Sequence, residues 1–446
     1  MKQLYTVSMR GTIDVTAVTD RIRETVLPDE GRIPLFIYAD PAVYATELQR
    51  VFGRSWLFVA HESEIAEPGS WVQRTMGEQS VIVARGEDGV IRTFLNSCRH
   101  RGMKLACEDF GEGRMWRCQY HGFAYATTGE FMGTLVGAPY ERIAYPGGLD
   151  RDALHLIEAR TERYAGLVFA NWDAEAPSLE SWLGPMTWYL DIFCGRAEME
   201  IVGVPQKWVI PCSWKFPSEN FTCDAYHTAT AHAFLAKLDL VKGVDFGRDG
   251  YHVDPGNGCG LGLGVHPEED GSYFPAELHE EYAANLDADQ LRLVHRLKNF
   301  HGNLFPNLSF LVPNFIRVGD QWVSGLMLRL WQPIGPDRIE TWSWHLVEKN
   351  GPDWWKRKGR ATYVQTFGMS GMFDQDDTEN WELQTKNANS ALARDDEVWM
   401  HFEMGIHLDP LGEEFSGPGS VYDGKYSESA GRTFYRVWRD LMLDER

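Results

Sequence analysis

Two short clusters of cysteine and histidine, separated by 17 residues, carry the strongest chemical signal in this sequence. The first cluster contains Cys98 and His100, and the second contains Cys118 and His121. Thiolate sulfur suits zinc or the iron of an iron–sulfur cluster, and imidazole nitrogen suits both metals. Because each cluster contributes one ligand of each kind, the four side chains predict one metal centre between two chain segments.

The mixture of ligands within each cluster distinguishes two kinds of centre. A zinc finger usually pairs cysteine with cysteine and histidine with histidine. The mixed pattern instead resembles a Rieske [2Fe–2S] centre, in which two histidines replace two cysteines on one iron. Cys98 and Cys118 would then hold one iron, and His100 and His121 the other. A Rieske cluster is therefore the favoured interpretation, and a zinc knuckle with two cysteines and two histidines is the alternative.

A second group of candidate ligands lies about 100 residues further along the chain. Two neutral imidazoles, here His227 and His232, suit ferrous iron, and a carboxylate completes a facial triad with open positions for oxygen and substrate. On an ideal helix their spacing turns them about 140° apart. One metal binds both only if the helix bends or bulges between them. From the spacing alone, two unrelated histidines, one of them a capping or core residue, are the favoured interpretation.

Together the motifs resemble the α subunit of the Rieske non-haem iron aromatic-ring-hydroxylating oxygenases, especially its biphenyl, phenylpropanoate and naphthalene dioxygenase branch. The likeness extends from about Tyr38 to the last residues. The family pattern Asn-x3-Asp-x2-His-x4-His is matched by Asn220, Asp224, His227 and His232. The resemblance implies a [2Fe–2S] Rieske cluster and a mononuclear Fe(II) bound by two histidines and one aspartate.

The aspartate ligand is implied by residues 367–381, which resemble the family's Asp-Asp-x-x-Asn segment. The second aspartate of that segment binds iron in the family, which assigns the role to Asp377. Three nearby acids, Asp374, Asp376 and Glu379, remain alternatives from the sequence alone. An acidic helix start is a further interpretation, because carboxylates stabilise the positive end of a helix dipole.

The resemblance also implies how the two metals cooperate and which partners take part. The Rieske domain of one subunit would serve the catalytic domain of its neighbour in a trimeric ring, with Asp224 bridging His121 of one chain and His227 of the next. An ordinary helix-surface acid is the alternative for Asp224. The implied partners are an aromatic substrate, O2, a ferredoxin and/or reductase as electron donor, and a small β subunit in an α3β3 assembly, or otherwise a homotrimer.

Several residues are candidates for a substrate pocket, each with a place in the core as the alternative. The candidates are Asn220, Phe221, His301, Asn303 and Phe373. Arg317 or Arg329 would suit a substrate carboxylate, although a surface or salt-bridged arginine is the simpler interpretation.

Secondary-structure patterns indicate the elements that position these ligands. Asp40 as N-cap and Pro41 at the first helical position predict a helix that ends before Gly53. Strand-like runs at 81–84 and 91–95 predict a small antiparallel β domain with both Cys–His clusters in loops. Further helices are predicted near 178–183 and 287–300, and strands near 308–312, 322–331 and 339–347. The alternating glycines of 258–264 predict a flexible loop or strand edge rather than a nucleotide site.

The predicted fold class is α+β. An antiparallel β Rieske [2Fe–2S] domain in the N-terminal half is followed by a catalytic domain with a central antiparallel sheet flanked by helices. The predicted bounds are 1–54 for an N-terminal helical segment packing on the catalytic domain, 55–173 for the Rieske domain and 174–446 for the catalytic mononuclear iron domain.

Composition excludes several other classes. A length of 446 residues accommodates two domains with large cores. The net charge of −21 argues against nucleic-acid binding, which needs a basic footprint. The sequence has no 18-residue apolar run, so no membrane span is expected, and the N-terminus lacks the apolar region of a signal peptide. Seven cysteines without a repeated spacing predict a reduced, cytoplasmic compartment.

The predicted function is that of a terminal oxygenase large subunit. It would use O2 and two electrons relayed from NAD(P)H to cis-dihydroxylate an aromatic ring, with polycyclic and carboxylated rings included. A monooxygenase or demethylase of the same architecture is the alternative among enzymes. A non-catalytic Rieske electron carrier is the alternative outside them, but a carrier needs no second metal site, so His227, His232 and Asp377 argue against it.

Overall fold

The chain divides into two compact units, one formed by Gly53–Leu179 and the other by Met1–Phe52 together with Glu180–Arg446. The computed structural model describes residues 15–135, 137–237, 250–266, 274–313, 316–318, 321–323, 325–395, 398–412, 414–424 and 426–444. Within these ranges, no helix combines the length and the apolar character needed to cross a membrane.

The N-terminal segment begins with helix α1 (Val15–Thr25), strand β1 (Arg32–Pro34) and helix α2 (Pro41–Arg50). The carboxylate of Asp40 accepts the backbone N–H groups of Ala42 at 2.7 Å and Val43 at 3.4 Å, so it is the N-cap that the sequence predicted. Pro41 takes the first helical position. The helix ends at Arg50, slightly earlier than the glycine at position 53 suggested.

The unit Gly53–Leu179 is built almost entirely of antiparallel strands around its own core. Seven described strands form one sheet in the order β2-β11-β10-β5-β4-β3-β6, and three form a second in the order β7-β8-β9. Phe94 of the first sheet and Trp116 of the second pack edge to face in the core. The elements are β2 (Leu57–His61), β3 (Ser70–Met76), β4 (Gln79–Arg85), β5 (Ile91–Leu95), β6 (Phe110–Glu112), β7 (Met115–Arg117), β8 (Ala124–Ala126), β9 (Phe131–Gly133), α3 (Gly137–Ala144), β10 (Glu158–Tyr164) and β11 (Leu167–Asn171).

The second unit is organised by a large antiparallel sheet. Among the described residues the sheet has nine strands in the order β12-β21-β20-β17-β16-β15-β14-β23, with β13 paired to β21. Helix α6 packs on β15, β16 and β17, and α10 packs on β20 and β21. The elements are α4 (Leu179–Leu183), α5 (Met186–Leu190), β12 (Met199–Ile201), β13 (Gln206–Ile210), α6 (Lys215–Cys223), α7 (Ala233–Lys237), β14 (Tyr251–Asp254), β15 (Gly260–Val265), α8 (His279–Asn285), α9 (Ala288–Arg296), β16 (Leu297–Leu304), β17 (Leu308–Pro313), β18 (Ile316–Val318), β19 (Gln321–Val323), β20 (Leu326–Gly335), β21 (Arg338–Glu348), α10 (Asp353–Thr366), α11 (Asp374–Ala388), β22 (Trp399–His401), β23 (Ser420–Asp423) and α12 (Ser429–Leu443).

A buried carboxylate attaches the start of α6 to both ends of the chain. Glu47 of α2 accepts hydrogen bonds from Lys215 at 2.6 Å, from the Trp214 indole at 3.0 Å and from the Trp438 indole of α12 at 2.8 Å. A buried charge is tolerated only when it is paired and hydrogen-bonded, as it is here. The three partners therefore tie α2, α6 and α12 together.

A second buried carboxylate holds the middle of α6. Glu219 accepts hydrogen bonds from Tyr38, at 2.6 Å, and from Tyr435 of α12. Burial raises the pKa of Glu219 to about 8, although the two tyrosine hydroxyls oppose this shift. Helix α6, which leads directly into the candidate iron ligands, is therefore fixed along its length.

The alternating glycines were predicted wrongly as a flexible loop or strand edge. They form β15, a buried strand that lies inside the sheet between β14 and β16. A Cβ on Gly260 would lie 2.5 Å from the Thr222 carbonyl oxygen of α6 and 2.5 Å from the Ala430 Cβ of α12. Glycine is needed at this position because two helices approach the strand backbone closely.

Replacement of Gly260 by alanine should therefore destabilise the second unit by about 1–3 kcal/mol, the usual cost of overpacking a core. Urea unfolding followed by circular dichroism measures the effect. Gly412→Ala is the control, because a Cβ there meets no atom within 4 Å. Equal stability of the two variants would show that α6 does not depend on this close approach.

The predicted helix at 287–300 is correct only in its first part. Asp287 caps α9 and accepts the N–H groups of Asp289 and Gln290, both at 2.8 Å. The chain then leaves the helix at Leu297 and becomes β16, which pairs with β15 and β17. The apolar spacing of this segment fits a helix, but sheet pairing overrides it.

Candidate metal centres

The two Cys–His clusters lie in loops of the same design. In each loop the cysteine N–H donates to the carbonyl oxygen five residues later, at 2.8 Å in both cases. Gly102 and Gly122 donate back to the carbonyls of Cys98 and Cys118 at 2.8 and 2.9 Å. Both glycines have positive φ angles, 75° and 71°, which other residues rarely adopt. Glycine at these two positions therefore lets each loop turn back on its cysteine.

These loops bring the four predicted Rieske ligands together. The rings of His100 and His121 have their centroids 4.5 Å apart, and Cys98 and Cys118 are both buried. Burial raises the pKa of the Cys98 thiol, and the neighbouring Cys118 thiol adds to the shift. The Nδ1 atom of His100 is buried without a hydrogen-bond partner among the described residues. Two thiols, two imidazoles and an unpaired buried ring nitrogen fit a [2Fe–2S] Rieske centre.

A tyrosine that sequence reasoning missed lies beside the sulfur of Cys98. The Oη atom of Tyr125 lies 3.3 Å from Cys98 Sγ and accepts the backbone N–H of Arg99 at 2.9 Å. Because Oη is the acceptor for Arg99, its own proton is free to point at the sulfur. Nothing in the sequence marks Tyr125, since it reads as one more buried residue of a short strand.

The candidate iron ligands of the second unit lie where regular helix stops. Helix α6 ends at Cys223, and Asp224 leaves helical geometry with φ −101° and ψ 67°. A single 3₁₀ turn, Tyr226–Ala229, follows and contains His227. His232 lies just before α7. The interruption that the five-residue spacing required is therefore present, and it turns both rings toward one point.

Both imidazoles converge on one carboxylate of α11. The Nε2 atoms of His227 and His232 each lie 3.3 Å from Asp377 Oδ1. One ligand atom from each of the three residues falls within 4.8 Å of the others. His227 Nε2 and Asp377 Oδ1 are buried and lack a hydrogen-bond partner among the described residues. Two imidazoles and one carboxylate with unpaired buried donor atoms fit a facial triad for ferrous iron.

A further carboxylate faces the outer nitrogen of each imidazole. Asp224 Oδ1 lies 3.3 Å from His227 Nδ1, and the same ring nitrogen contacts the Asp224 carbonyl oxygen. Asp376 Oδ2 lies 3.6 Å from His232 Nδ1. Carboxylates in this position fix the tautomer of a metal-binding histidine and direct the other nitrogen at the metal. The sequence did not assign this position to Asp376.

The protonation of the triad follows from this geometry. Burial of Asp377 opposes its ionisation, but the two facing imidazoles outweigh burial and hold its pKa well below the usual value. Burial likewise disfavours the charged form of His227, yet Asp224 and Asp377 together raise the pKa of this histidine. The cluster therefore contains an ionised carboxylate that favours a cation, and protons compete with a metal for His227.

The structure separates the acids that the sequence left as alternatives. Asp374, Asp376 and Asp377 all occupy the first turn of α11, so the acidic helix start is real as well. Asp374 forms a buried ion pair with Arg329 of β20 and does not belong to the group of three converging ligands. Arg329 is thus a salt-bridged arginine, the simpler of its two interpretations. The side chain of Arg317 lies outside the described residues.

The predicted pocket residues fall into two groups. Asn220 and Phe373 adjoin the triad: the Asn220 amide lies 3.5 Å from His227 Nδ1, and the Phe373 ring packs edge to face on His232 with centroids 5.2 Å apart. The other three have contacts in the sheet and its core. Phe221 packs on Trp331, His301 lies over Gly262, and Asn303 accepts the Ser309 hydroxyl at 2.9 Å.

Both sites fit one class of protein. It is an oxygenase that takes electrons from a Rieske cluster and uses them at a separate ferrous ion. The comparisons with known proteins agree. The family model for the Rieske [2Fe-2S] domain matches residues 55–139, and the model for the ring hydroxylating alpha subunit (catalytic domain) matches residues 179–444. The chain belongs to the alpha subunits of the ring-hydroxylating dioxygenases.

Individual relatives extend over nearly the whole chain. It is 37% identical to the chlorobenzene dioxygenase alpha subunit of Cupriavidus sp. strain PS12, covering 92% of this chain and 91% of the relative. It is 36% identical to the biphenyl 2,3-dioxygenase alpha subunit of Rhodococcus jostii RHA1, covering 94% of this chain and 91% of the relative. A crystal structure of naphthalene 1,2-dioxygenase from Rhodococcus sp. bound to indole superposes with a TM-score of 0.91 at 36% identity, covering 97% of this chain and all of the other. The predicted α+β fold and the oxidoreductase class are thereby confirmed.

Proposed function

We propose that this protein is the large subunit of a terminal oxygenase that converts an aromatic ring into a cis-dihydrodiol. One O2, two electrons and two protons are consumed for each ring, and both oxygen atoms enter the product. The electrons come from NAD(P)H through a ferredoxin and/or a reductase. The observation that carries the proposal is the convergence of His227 and His232 on Asp377 in a chain that also contains the Rieske loops.

In the proposed assignment, Cys98 and Cys118 hold one iron of the cluster, and His100 and His121 hold the other. His227, His232 and Asp377 hold the mononuclear Fe(II). When bound, the cluster supplies electrons and the ferrous ion activates O2 beside the substrate.

Several side chains of the protein act around these metals. Asp224 holds the outer nitrogen of the His227 imidazole, and Asp376 lies 3.6 Å from the outer nitrogen of His232. Phe373 borders the site beside His232, where an apolar ring suits a flat arene, and Asn220 lies beside the outer nitrogen of His227. Phe221, His301 and Asn303 stay predictions as pocket residues.

The assembly and its partners are part of the proposal. We infer a ring of three large subunits, in which the Rieske domain of one serves the catalytic domain of the next and Asp224 bridges the two. A small β subunit in an α3β3 complex is the favoured composition, and a homotrimer is the alternative. A cytoplasmic location, which cysteine usage favours, stays a prediction.

Metal analysis and product analysis test the function together. The purified protein should be red-brown and contain about three iron atoms and about two acid-labile sulfides per chain, the sum of one [2Fe–2S] cluster and one ferrous ion. With a reductase chain, isotopically labelled O2 and a panel of neutral, polycyclic and carboxylated arenes, the product should be a cis-dihydrodiol containing two labelled atoms. A colourless zinc protein would contradict the proposal, and so would products that gain a single oxygen atom or only lose a methyl group.

Tyr125→Phe should lower the midpoint potential of the cluster. A hydroxyl that donates to a ligand sulfur stabilises the reduced, more negative cluster, so its loss favours the oxidised state. A hydrogen bond worth about 1 kcal/mol corresponds to a fall on the order of 40 mV for one electron. Redox titration followed by electron paramagnetic resonance measures it. Tyr120→Phe is the control, because Tyr120 is 61% exposed. An unchanged midpoint potential in Tyr125→Phe would exclude the hydrogen bond to the sulfur.

A further inference from the structure

Arg329 of β20 is a fully buried arginine that no part of the proposed reaction uses. Its side chain is 1% exposed, and that of its partner Asp374 is 4% exposed. The guanidinium also lies 5.1 Å from the ring centroid of Trp208 and 5.4 Å from that of Trp331. Arginine presents several donors in a rigid fork, so its direction is fixed once two of them are bound.

The two ends of that fork hold the two ends of one chain segment. One terminal nitrogen donates to the carboxylate of Asp374, the first residue of α11. The other donates to the carbonyl oxygen of Phe367, directly after the end of α10. A single side chain from the central sheet thus bridges both ends of the 367–374 loop, at whose base the Phe373 N–H also donates to the Thr366 carbonyl at 3.1 Å.

The held segment leads directly into the candidate iron site at two points. Asp377 follows Asp374 by one helical turn on the same buried face of α11. Phe373 packs edge to face on His232, and Phe367 stacks on Phe373 with centroids 4.9 Å apart. Any movement of the loop base therefore moves the carboxylate ligand and the aromatic ring beside the second histidine together.

We infer that Arg329 is the positioning residue for Asp377: by holding Asp374 and the Phe367 carbonyl, it sets the distance from the carboxylate ligand to the two imidazoles and thereby the affinity for the mononuclear iron. The inference rests on the proposed function, because it requires iron at the triad. Residues behind metal ligands typically change metal affinity by ten- to a hundredfold when they are replaced.

A buried ion pair can also serve stability alone, and the experiment must separate the two roles. Removal of one partner leaves an uncompensated buried charge, whereas replacement of both by apolar residues is often tolerated. The test variant is therefore Arg329→Met with Asp374→Leu. The matched control is Arg196→Met with Glu348→Leu, an ion pair of the same unit with side chains 1% and 0% exposed. Arg196 likewise donates to two carbonyls, those of Ile192 and Phe193.

The readouts are the thermal midpoint, the ferrous-nitrosyl resonance of the mononuclear iron and the rate at which a chelator removes that iron. Absorbance of the Rieske cluster in the same sample serves as the internal standard. We expect the Arg329/Asp374 variant to lose mononuclear iron about tenfold or more faster than wild type, with a changed nitrosyl spectrum. The Arg196/Glu348 variant should lose it at the wild-type rate, whatever its thermal midpoint.

Arg329→Lys is a second test that does not depend on the double variant folding. Lysine keeps the charge but lacks the planar fork that holds both ends of the loop, so iron loss should again be faster. Wild-type iron retention in the Arg329/Asp374 variant, or equal loss from both double variants, overturns the inference and leaves the proposed function intact. Absence of mononuclear iron from the wild-type protein overturns the proposed function itself.

Discussion

Asp377→Ala is expected to remove the mononuclear iron and abolish turnover while the Rieske cluster remains. Among the described residues, Asp377 is the only carboxylate that faces Nε2 of both His227 and His232. Without it the site keeps two neutral ligands, too few to hold ferrous iron against dilution. Iron content should fall from about three to about two atoms per chain, with acid-labile sulfide unchanged.

The control for this variant comes from the same helix. Glu379→Gln removes an acid that the sequence left as a candidate, but Glu379 is exposed and belongs to no metal group among the described residues. Its iron content and activity should match those of wild type. If Asp377→Ala kept three iron atoms and formed product, the assignment of the third ligand would be wrong.

Asp224→Asn is expected to keep both metals and still abolish turnover. Asp224 does not belong to the triad, so iron binding does not require its charge. Its carboxylate faces Nδ1 of His227 and accepts the backbone N–H of that residue at 3.1 Å. The side chain is also 28% exposed, which leaves it accessible to the neighbouring subunit that the proposed assembly supplies. A neutral amide would occupy the same space but would not couple the two metals through a shared proton.

Two measurements distinguish this role from simple damage to the site. Metal and sulfide analysis should give wild-type values, and a chemically reduced sample mixed with substrate and O2 should form no cis-dihydrodiol while its cluster stays reduced. Asp376→Asn is the matched control, because it makes the same change beside the other ligand imidazole. Asp376 is likewise outside the triad, so that variant should also keep its metals, but it should still oxidise its cluster when substrate is present. Normal product formation by fully metallated Asp224→Asn protein would refute the bridging role.

Ligand chemistry was predictable from the sequence because it depends on residue type and spacing. The Cys98 and Cys118 loops repeat the same local hydrogen bonds, so short motifs already specify their geometry. The five-residue spacing of His227 and His232 even required the break that ends α6. Local rules of this kind predicted the helix cap at Asp40 and the α+β class, whereas His227, His232 and Asp377 stay predicted ligands that the family resemblance singled out.

What the sequence did not predict depends on contacts between distant segments. The glycines of β15 read as a loop because the strand has few side chains of its own, and neighbouring helices fill the space instead. The end of α9 at Leu297 follows from pairing with β15 and β17 rather than from any stop signal. The resemblance assigned the ligand role to Asp377, but the ion pair of Asp374 with Arg329, 45 residues away in the chain, could not be predicted. Periodicity and motif spacing contain no information on such partners.

The attachment of α6 to both ends of the chain has a consequence for how the protein is made. Residues 53–179 are contiguous and form a compact unit by themselves, so they can fold soon after they leave the ribosome. Helix α2 cannot reach its final contacts then, because Glu47 needs Trp438 as well as Lys215. Helix α2 must wait until α12 has been synthesised, so the second unit is expected to fold later than residues 53–179.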